Sequence, residues 1–229
     1  MSFLWSNLGQ VWNLTVSHVW LAALPIVIGF VVSLPIGWVA NRYRLTRGTL
    51  LTISGILYAI PSLPFFFAMP ALLGTQILSP INVVVALSIY ALALMVRTTA
   101  DALASVPGDV LQSATAVGFA PWRRFWTVEL PLAGPVLLAG LRVVSVSTVS
   151  LVSVGALLGV PNLGFLFTDS LNRYYPEEAV VGIVLIMILA LVFDLVLVGI
   201  GRLSMPWTRA DRRSKRLSSR AAMKAVSGA

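Results

Sequence analysis

The sequence predicts an all-α integral membrane protein of about five transmembrane helices, and three observations carry that prediction. Of the 229 residues, 58% are hydrophobic and 10% charged, where an ordinary soluble domain carries about 25% charged residues. The apolar residues come in runs long enough to cross a hydrocarbon core of ~30 Å at 1.5 Å per residue. The charges gather between those runs, so the mean hydropathy of +0.92 reflects the spans.

Taken in order, residues 1–17 contain no Lys or Arg, so the basic start of a cleavable signal peptide is not seen. Phe3, Leu4, Leu8, Val11 and Trp12, with polar residues between them, suggest a short amphipathic helix. Trp5, Trp12 and Trp20 would anchor it at a membrane interface. The first span is expected over 19–40, containing Pro25 and Pro35 and ending at Arg42, Arg44 and Arg47. The second, over 50–73, carries Pro61, Pro64 and Pro70. Prolines free backbone carbonyls, which a bilayer tolerates only where protein or a watery route satisfies them. The third span is expected over 81–96 with a sharp end at Arg97, the fourth over 135–159 and the fifth over 179–201. A short hydrophobic turn over 163–171 would lie at the interface between the last two. The implied organisation is an external or interfacial segment at 1–18, a permease-sized membrane domain at 19–201 with a polar loop at 97–134, and a basic tail at 202–229.

Five spans put the termini on opposite sides. The first loop, the polar loop and the tail then share a side and hold fourteen of the sixteen basic residues. By the bias of Lys and Arg towards the cytoplasm, the polar loop and the tail are expected inside and the N-terminus outside. Once the charges are placed this way, the net charge of +8 reads as a topology anchor drawn to anionic membrane lipid, not a nucleic-acid surface.

The polar island QSATAVGFAPWRRFWTVELP, 112–131, organises the chain. QSATAV has helical character, and Gly118 can take the positive φ that ends a helix. PWRRFW begins with proline at a first-turn position, and Leu130-Pro131 is expected to stop it. Helix, glycine turn, short helix and proline stop describe a compact knob in an aqueous compartment, a docking surface.

Other candidates lie within the spans. Arg142 and Asp194 fall ~10 Å and ~12 Å from the same face and are expected to pair, since a lone charge at that depth is costly. Ser145, Ser147, Thr148, Ser150 and Ser153 make the fourth span rich in hydroxyls, and Gly155-x3-Gly159 adds small residues. Both patterns are devices for close helix packing. A second reading makes Ser147 and Ser150, with Tyr58, Ser62 and Tyr90, a mildly polar route for a zwitterion, in which aromatic faces attract a quaternary ammonium. Several chemistries are excluded. There is no cysteine and a single histidine, His18, which reads as incidental, so thiolate and histidine metal sites drop out. Lys215 and Lys224 are the only lysines and neither follows a glycine, so no phosphate-binding G-x4-G-K loop exists. No catalytic set is present, and any ATP must be hydrolysed by another chain.

The island resembles the E-A-A-x3-G-x9-I-x-L-P signature of the membrane subunits of ABC importers. Gln112-Ser113-Ala114 stands for Glu-Ala-Ala, Gly118 is the glycine, Val128 replaces isoleucine, and Leu130-Pro131 closes the motif. Ile60-Pro61-Ser62-Leu63, Val96-Arg97-Thr98-Thr99, Val128 to Ala133, Ala139-Gly140-Leu141-Arg142 and Leu163-Gly164 further resemble the glycine betaine/choline/carnitine osmoprotectant branch. The resemblance implies a type I importer permease of the bacterial cytoplasmic membrane. Its partners would be two ABC ATPases, a second permease subunit, identical or different, and an extracellular or periplasmic substrate-binding protein. ATP and Mg would sit on the ATPase and no cofactor on this chain. Asp109, Gln112, Ser113, Ala114, Gly118, Phe119, Pro121, Trp122, Arg123, Leu130 and Pro131 would carry the contact with the ATPase. The missing acid at Gln112 weakens an electrostatic contact without removing the surface. A methionine or other amino-acid importer subunit is the nearer alternative, and a passive channel or membrane scaffold the more distant one.

Overall fold

The computed structural model describes residues 2–207; Met1 and most of the basic tail, 208–229, lie outside the described residues. Those described form helices joined by short turns: α1 (Ser2–Ser6), α2 (Leu8–Arg42), α3 (Arg44–Ala59), α4 (Ser62–Leu73), α5 (Pro80–Ala104), α6 (Gly108–Ala116), α7 (Pro121–Arg124), α8 (Leu130–Val152), α9 (Phe165–Arg173) and α10 (Pro176–Ser204). A π-helical turn, Phe125–Glu129, joins α7 to α8, and a 3-10 turn, Ser153–Leu158, extends α8.

Four helical runs are long and apolar enough to cross a membrane: α2, α5, the continuous stretch Pro121–Leu158, and α10. A fifth span exists only if α3 and α4 count as one. They bend by 99° at Ile60-Pro61, where a single helix over 50–73 was expected. The cause is local: a residue before proline is pushed out of the helical region, and Ile60 is extended at φ −63°, ψ 127°. The break strands a carbonyl, and Tyr90 of α5 satisfies it, donating its hydroxyl to Ile60 O at 2.6 Å.

The first and third spans also differ from expectation. No separate amphipathic helix fills 1–17; α2 starts at Leu8 and runs unbroken for 35 residues, ~52 Å, well beyond the ~30 Å hydrocarbon thickness. Trp12 is exposed on this extension, as are Trp5 of α1 and Trp20 further along α2. α5 passes Arg97 without ending and continues to Ala104, because 97–104 contains no helix breaker. The turn expected over 163–171 is the short helix α9.

The core forms where α2 and α5 approach through small residues. Gly29, Ser33 and Gly37 recur every four residues and so share a face of α2. A Cβ on Gly29 would lie 2.6 Å from Ala91 Cβ and 2.9 Å from its carbonyl carbon, and one on Gly37 would lie 2.5 Å from Thr99 Cβ. Between them Ser33 Oγ meets Thr99 Oγ1 at 3.2 Å. α5 also packs on α3, α4 and α8, which makes it the central helix. α10 lies at the edge, mainly against α8 and α9. Gly155-x3-Gly159, read as a packing stripe, lies instead in the 3-10 turn, with Gly159 its left-handed cap at φ +78°.

His18 is not incidental. It is fully buried; its Nε2–H donates to Val149 O of α8 at 2.9 Å, and Nδ1 accepts from the Leu163 N–H at 3.3 Å. Both ring nitrogens are thereby used by one neutral tautomer, tying α2, α8 and the following loop together.

The α2–α5 approach yields a direct prediction. Gly29→Val should lower the thermal midpoint of the detergent-solubilised protein by roughly 2–12 °C, since backbone that cannot yield makes overpacking cost about 1–3 kcal/mol. Gly55→Val is the control, because a Cβ there meets nothing within 4 Å; equal melting of the two variants would refute the tight seam.

Candidate functional site

The knob is built by backbone chemistry first. α6 ends where Gly118 takes φ +91°; the Gly118 and Phe119 N–H groups donate to Thr115 O and Ala114 O at 3.0 and 3.1 Å. Ala120 is extended before Pro121, which opens α7 at the position where a missing N–H costs nothing. The exit differs from expectation. Leu130-Pro131 does not stop the helix: Pro131 lies in the first turn of α8. The π-helical turn makes this possible, since Leu130 N–H reaches back five residues to Phe125 O, one position ahead of a nitrogen with no proton to give. Knob and membrane helix are therefore one continuous rod, Pro121–Leu158.

Two sets of side chains fix the knob. Phe125 is buried and packs against Trp38 of α2 at 5.9 Å, Trp122 at 6.2 Å and Trp126 at 5.0 Å between ring centroids; Arg42 lies over Trp38 at 5.6 Å. This cluster ties the knob to the C-terminal end of α2. Arg124 then spans the knob, with Nε 2.7 Å from Glu129 Oε1 and Nη1 donating to Thr115 Oγ1 of α6 at 2.7 Å. Glu129 is 4% exposed, so its charge depends on this arginine. Sequence reading missed Trp38, Thr115, Phe125, Arg124 and Glu129. The available signal was the single acid in the basic stretch 121–131, five residues after an arginine.

Of the residues expected to make the docking contact, Asp109, Gln112, Ser113, Gly118, Pro121, Trp122 and Arg123 are exposed, and Ala114, Phe119, Leu130 and Pro131 are half-buried. Val117 and Trp126, not among them, add exposed apolar surface, and Arg123 lies over the Phe119 ring at 5.1 Å. The exposed face joins apolar and aromatic Val117, Trp122 and Trp126 to polar Asp109, Gln112, Ser113 and Arg123, a mixture suited to burial against a partner.

Inside the membrane region, Arg142 of α8 and Asp194 of α10 form a two-pronged pair, Nε–Oδ1 2.6 Å and Nη2–Oδ2 2.7 Å. They line a groove of about 790 Å³ between the two helices. The five expected route residues divide between two places. Tyr58 and Tyr90 meet edge to face at 6.1 Å, and Phe65, unforeseen, joins Tyr90 at 5.4 Å; Ser62 opens α4 beside the break. Ser147 instead lines a second, smaller cavity of about 450 Å³ beside Arg142 and Asp194, and Ser150 is exposed, its carbonyl accepting from Ser153 Oγ at 2.6 Å. Ser145 and Thr148 are buried as packing residues.

Comparison with known proteins gives concordant findings. A family model described as "binding-protein-dependent transport system inner membrane component" matches residues 26–210. The choline transport system permease protein OpuBB of Bacillus subtilis is 31% identical over 197 residues, 86% of this chain and 89% of that protein. The glycine betaine/carnitine/choline transport system permease protein OpuCB of the same species is 29% identical with the same coverage. The osmoprotectant import permease protein OsmW of Salmonella typhimurium is 29% identical, covering 84% of this chain and 90% of that one. Among solved structures, an inward-facing MetNI methionine ABC transporter superposes with a TM-score of 0.77 at 20% identity, covering 87% of this chain and 98% of that one. At that identity the likeness concerns the fold.

The Arg124 bridge can be tested without a ligand. Arg124→Leu should raise hydrogen exchange across 108–129 by about tenfold or more, because an uncompensated buried carboxylate costs about 3–5 kcal/mol. Arg124→Leu/Glu129→Leu should exchange more slowly than Arg124→Leu alone. If the double variant is no better, the bridge does not hold the knob.

Proposed function

The chain belongs to the family of binding-protein-dependent transport system inner membrane components, with the type I ABC importer permease fold, and on that premise we propose that it serves an importer of quaternary ammonium osmoprotectants. The observation that carries the substrate class is the similarity, over 86% of the chain, to permeases named for choline and for glycine betaine, carnitine and choline. Tyr58, exposed beside the buried Tyr90, supports it by offering an aromatic face of the kind that attracts onium groups.

In this reading the chain hydrolyses nothing. ATP and Mg are held by a partner ATPase, an external binding protein delivers the substrate, and a second permease subunit completes the route. The N-terminus is outside and the knob cytoplasmic, in a bacterial cytoplasmic membrane. Residues 109–131 dock on the ATPase through the exposed face of Gln112, Ser113, Val117, Trp122 and Arg123. Closure of the ATPases pushes on α7, and the push reaches α8 without a joint because the helix is continuous. It reaches α2 through Trp38 and Phe125. A rigid-body bias between inward-open and outward-open states follows. Gln112 keeps donor and acceptor capacity where the family signature carries a charge.

Cells lacking their own carriers and expressing this chain with its neighbouring ATPase, permease and binding-protein genes should accumulate labelled glycine betaine or choline and not methionine. Accumulation of methionine alone would reassign the substrate.

Gly118→Asp should insert and assemble normally and lose at least about tenfold of uptake. No atom lies within 4 Å of a Cβ there, so the effect comes from backbone strain of about 1–3 kcal/mol and from charge at the docking face. Unchanged uptake would refute the role of the loop.

A further inference from the structure

The groove between α8 and α10 holds the Arg142–Asp194 pair at an unusual place. Arg142 is twelve residues into α8 and Asp194 ten residues before the end of α10, which puts both ~15–18 Å inside their helices. At that depth charges face protein or a water-filled cavity. Within this chain neither is sealed off: the Arg142 side chain is 42% exposed and that of Asp194 21%. They open onto about 790 Å³ of space walled by Leu138, Ala139, Leu195 and Val198, and onto a second, smaller cavity of about 450 Å³ lined by Val143, Val146 and Ser147. A pair that served only to join two helices would be best enclosed between them. This one presents a guanidinium edge and a carboxylate to an open space large enough for a small solute.

Resting on the importer reading above, we propose that this groove is a substrate site on the transport route, in which Arg142 and Asp194 exchange each other for the two poles of a zwitterion. The substrate's carboxylate takes the place of Asp194 on Arg142, where a planar guanidinium binds carboxylates in a two-pronged way. Its onium group sits by Asp194. Between substrates the two side chains satisfy one another, so no bare charge is left in the membrane. A cation without a carboxylate uses the Asp194 pole alone.

The chemistry predicts a split that a structural pair would not show. With the complete importer in cells, initial rates at saturating substrate are compared for glycine betaine, which has both poles, and choline, which has only the cation. Arg142→Gln should lower glycine betaine uptake about tenfold more than it lowers choline uptake; Asp194→Asn should lower both about tenfold. Membrane abundance and ATP hydrolysis stimulated by the loaded binding protein should remain, showing an assembled and coupled complex. Arg142→Met/Asp194→Leu guards against loss of folding: an apolar replacement is tolerated by a purely structural pair, so here it should assemble and still transport neither substrate. Parental uptake of both by that variant, or equal loss of both in Arg142→Gln, overturns the site while leaving the importer intact. Failure of the parent to take up either onium compound overturns the substrate reading and the site together.

Discussion

The close approach of α2 and α5 is the constraint on which the rest of the structure depends. Lipid offers no hydrophobic drive for two apolar helices to join, so association rests on how near their backbones come and on polar contacts between them. Gly29 and Gly37 remove the side chains that would hold the axes apart, Ser33 and Thr99 place a hydrogen bond between them, and α5 becomes the helix on which α3, α4 and α8 are assembled. Gly140 repeats the device on α8, where a Cβ would lie 2.0 Å from Thr98 Cγ2. With this seam fixed, Tyr90 on α5 is positioned to meet the carbonyl of Ile60, and the 99° bend at Pro61 becomes a stable feature of the fold.

The same core ties the surface knob to the membrane domain. α2 and α8 are tied at both ends, by Trp38 and Phe125 near the knob and by His18 to Val149 at the other extreme. Forces applied at α7 therefore enter a framework of three helices. Packed elements shift between discrete arrangements rather than bending continuously, so a load at one end of such a framework reorients it as a unit. Gly118 and the π-helical turn are the two irregularities in the path, and both are closed by backbone hydrogen bonds.

Much of this was legible in the sequence, and what was not has identifiable physical causes. Hydrophobic runs locate spans because the bilayer fixes their length. The glycine turn and the proline start of the knob follow from single-residue backbone preferences at Gly118 and Pro121. The Arg142–Asp194 contact could be anticipated because depth along a helix is countable and isolated charges are rare there. Proline was the weak point, because its effect depends on partners that sequence does not show. Pro61 breaks a helix, with Tyr90 from another span accepting the consequence, whereas Pro131 is absorbed by a π-helical turn and breaks nothing. Pro25 and Pro35 sit inside α2 without ending it. The long-range ties were silent for a similar reason: the Gly29-Ser33-Gly37 stripe has no meaning until a partner helix is chosen, and His18 and Leu163 are 145 positions apart.

The polar side chains of the membrane region then divide by what they join. Tyr90 and His18 bond to backbone groups of neighbouring segments, where rearrangement would strand a carbonyl or an amide. Such bonds hold helices in register and suit the part of the molecule that moves as a block. Arg142 and Asp194 bond only side chain to side chain, across the boundary to α10, the helix with the fewest buried positions among the spans. Opening that contact leaves every backbone hydrogen bond of α8 and α10 in place, so the energetic penalty is confined to two groups that another ion or dipole can satisfy. A contact of this kind can open without unfolding any helix, and it lies at the edge of the fold whereas the backbone-directed contacts lie at its centre.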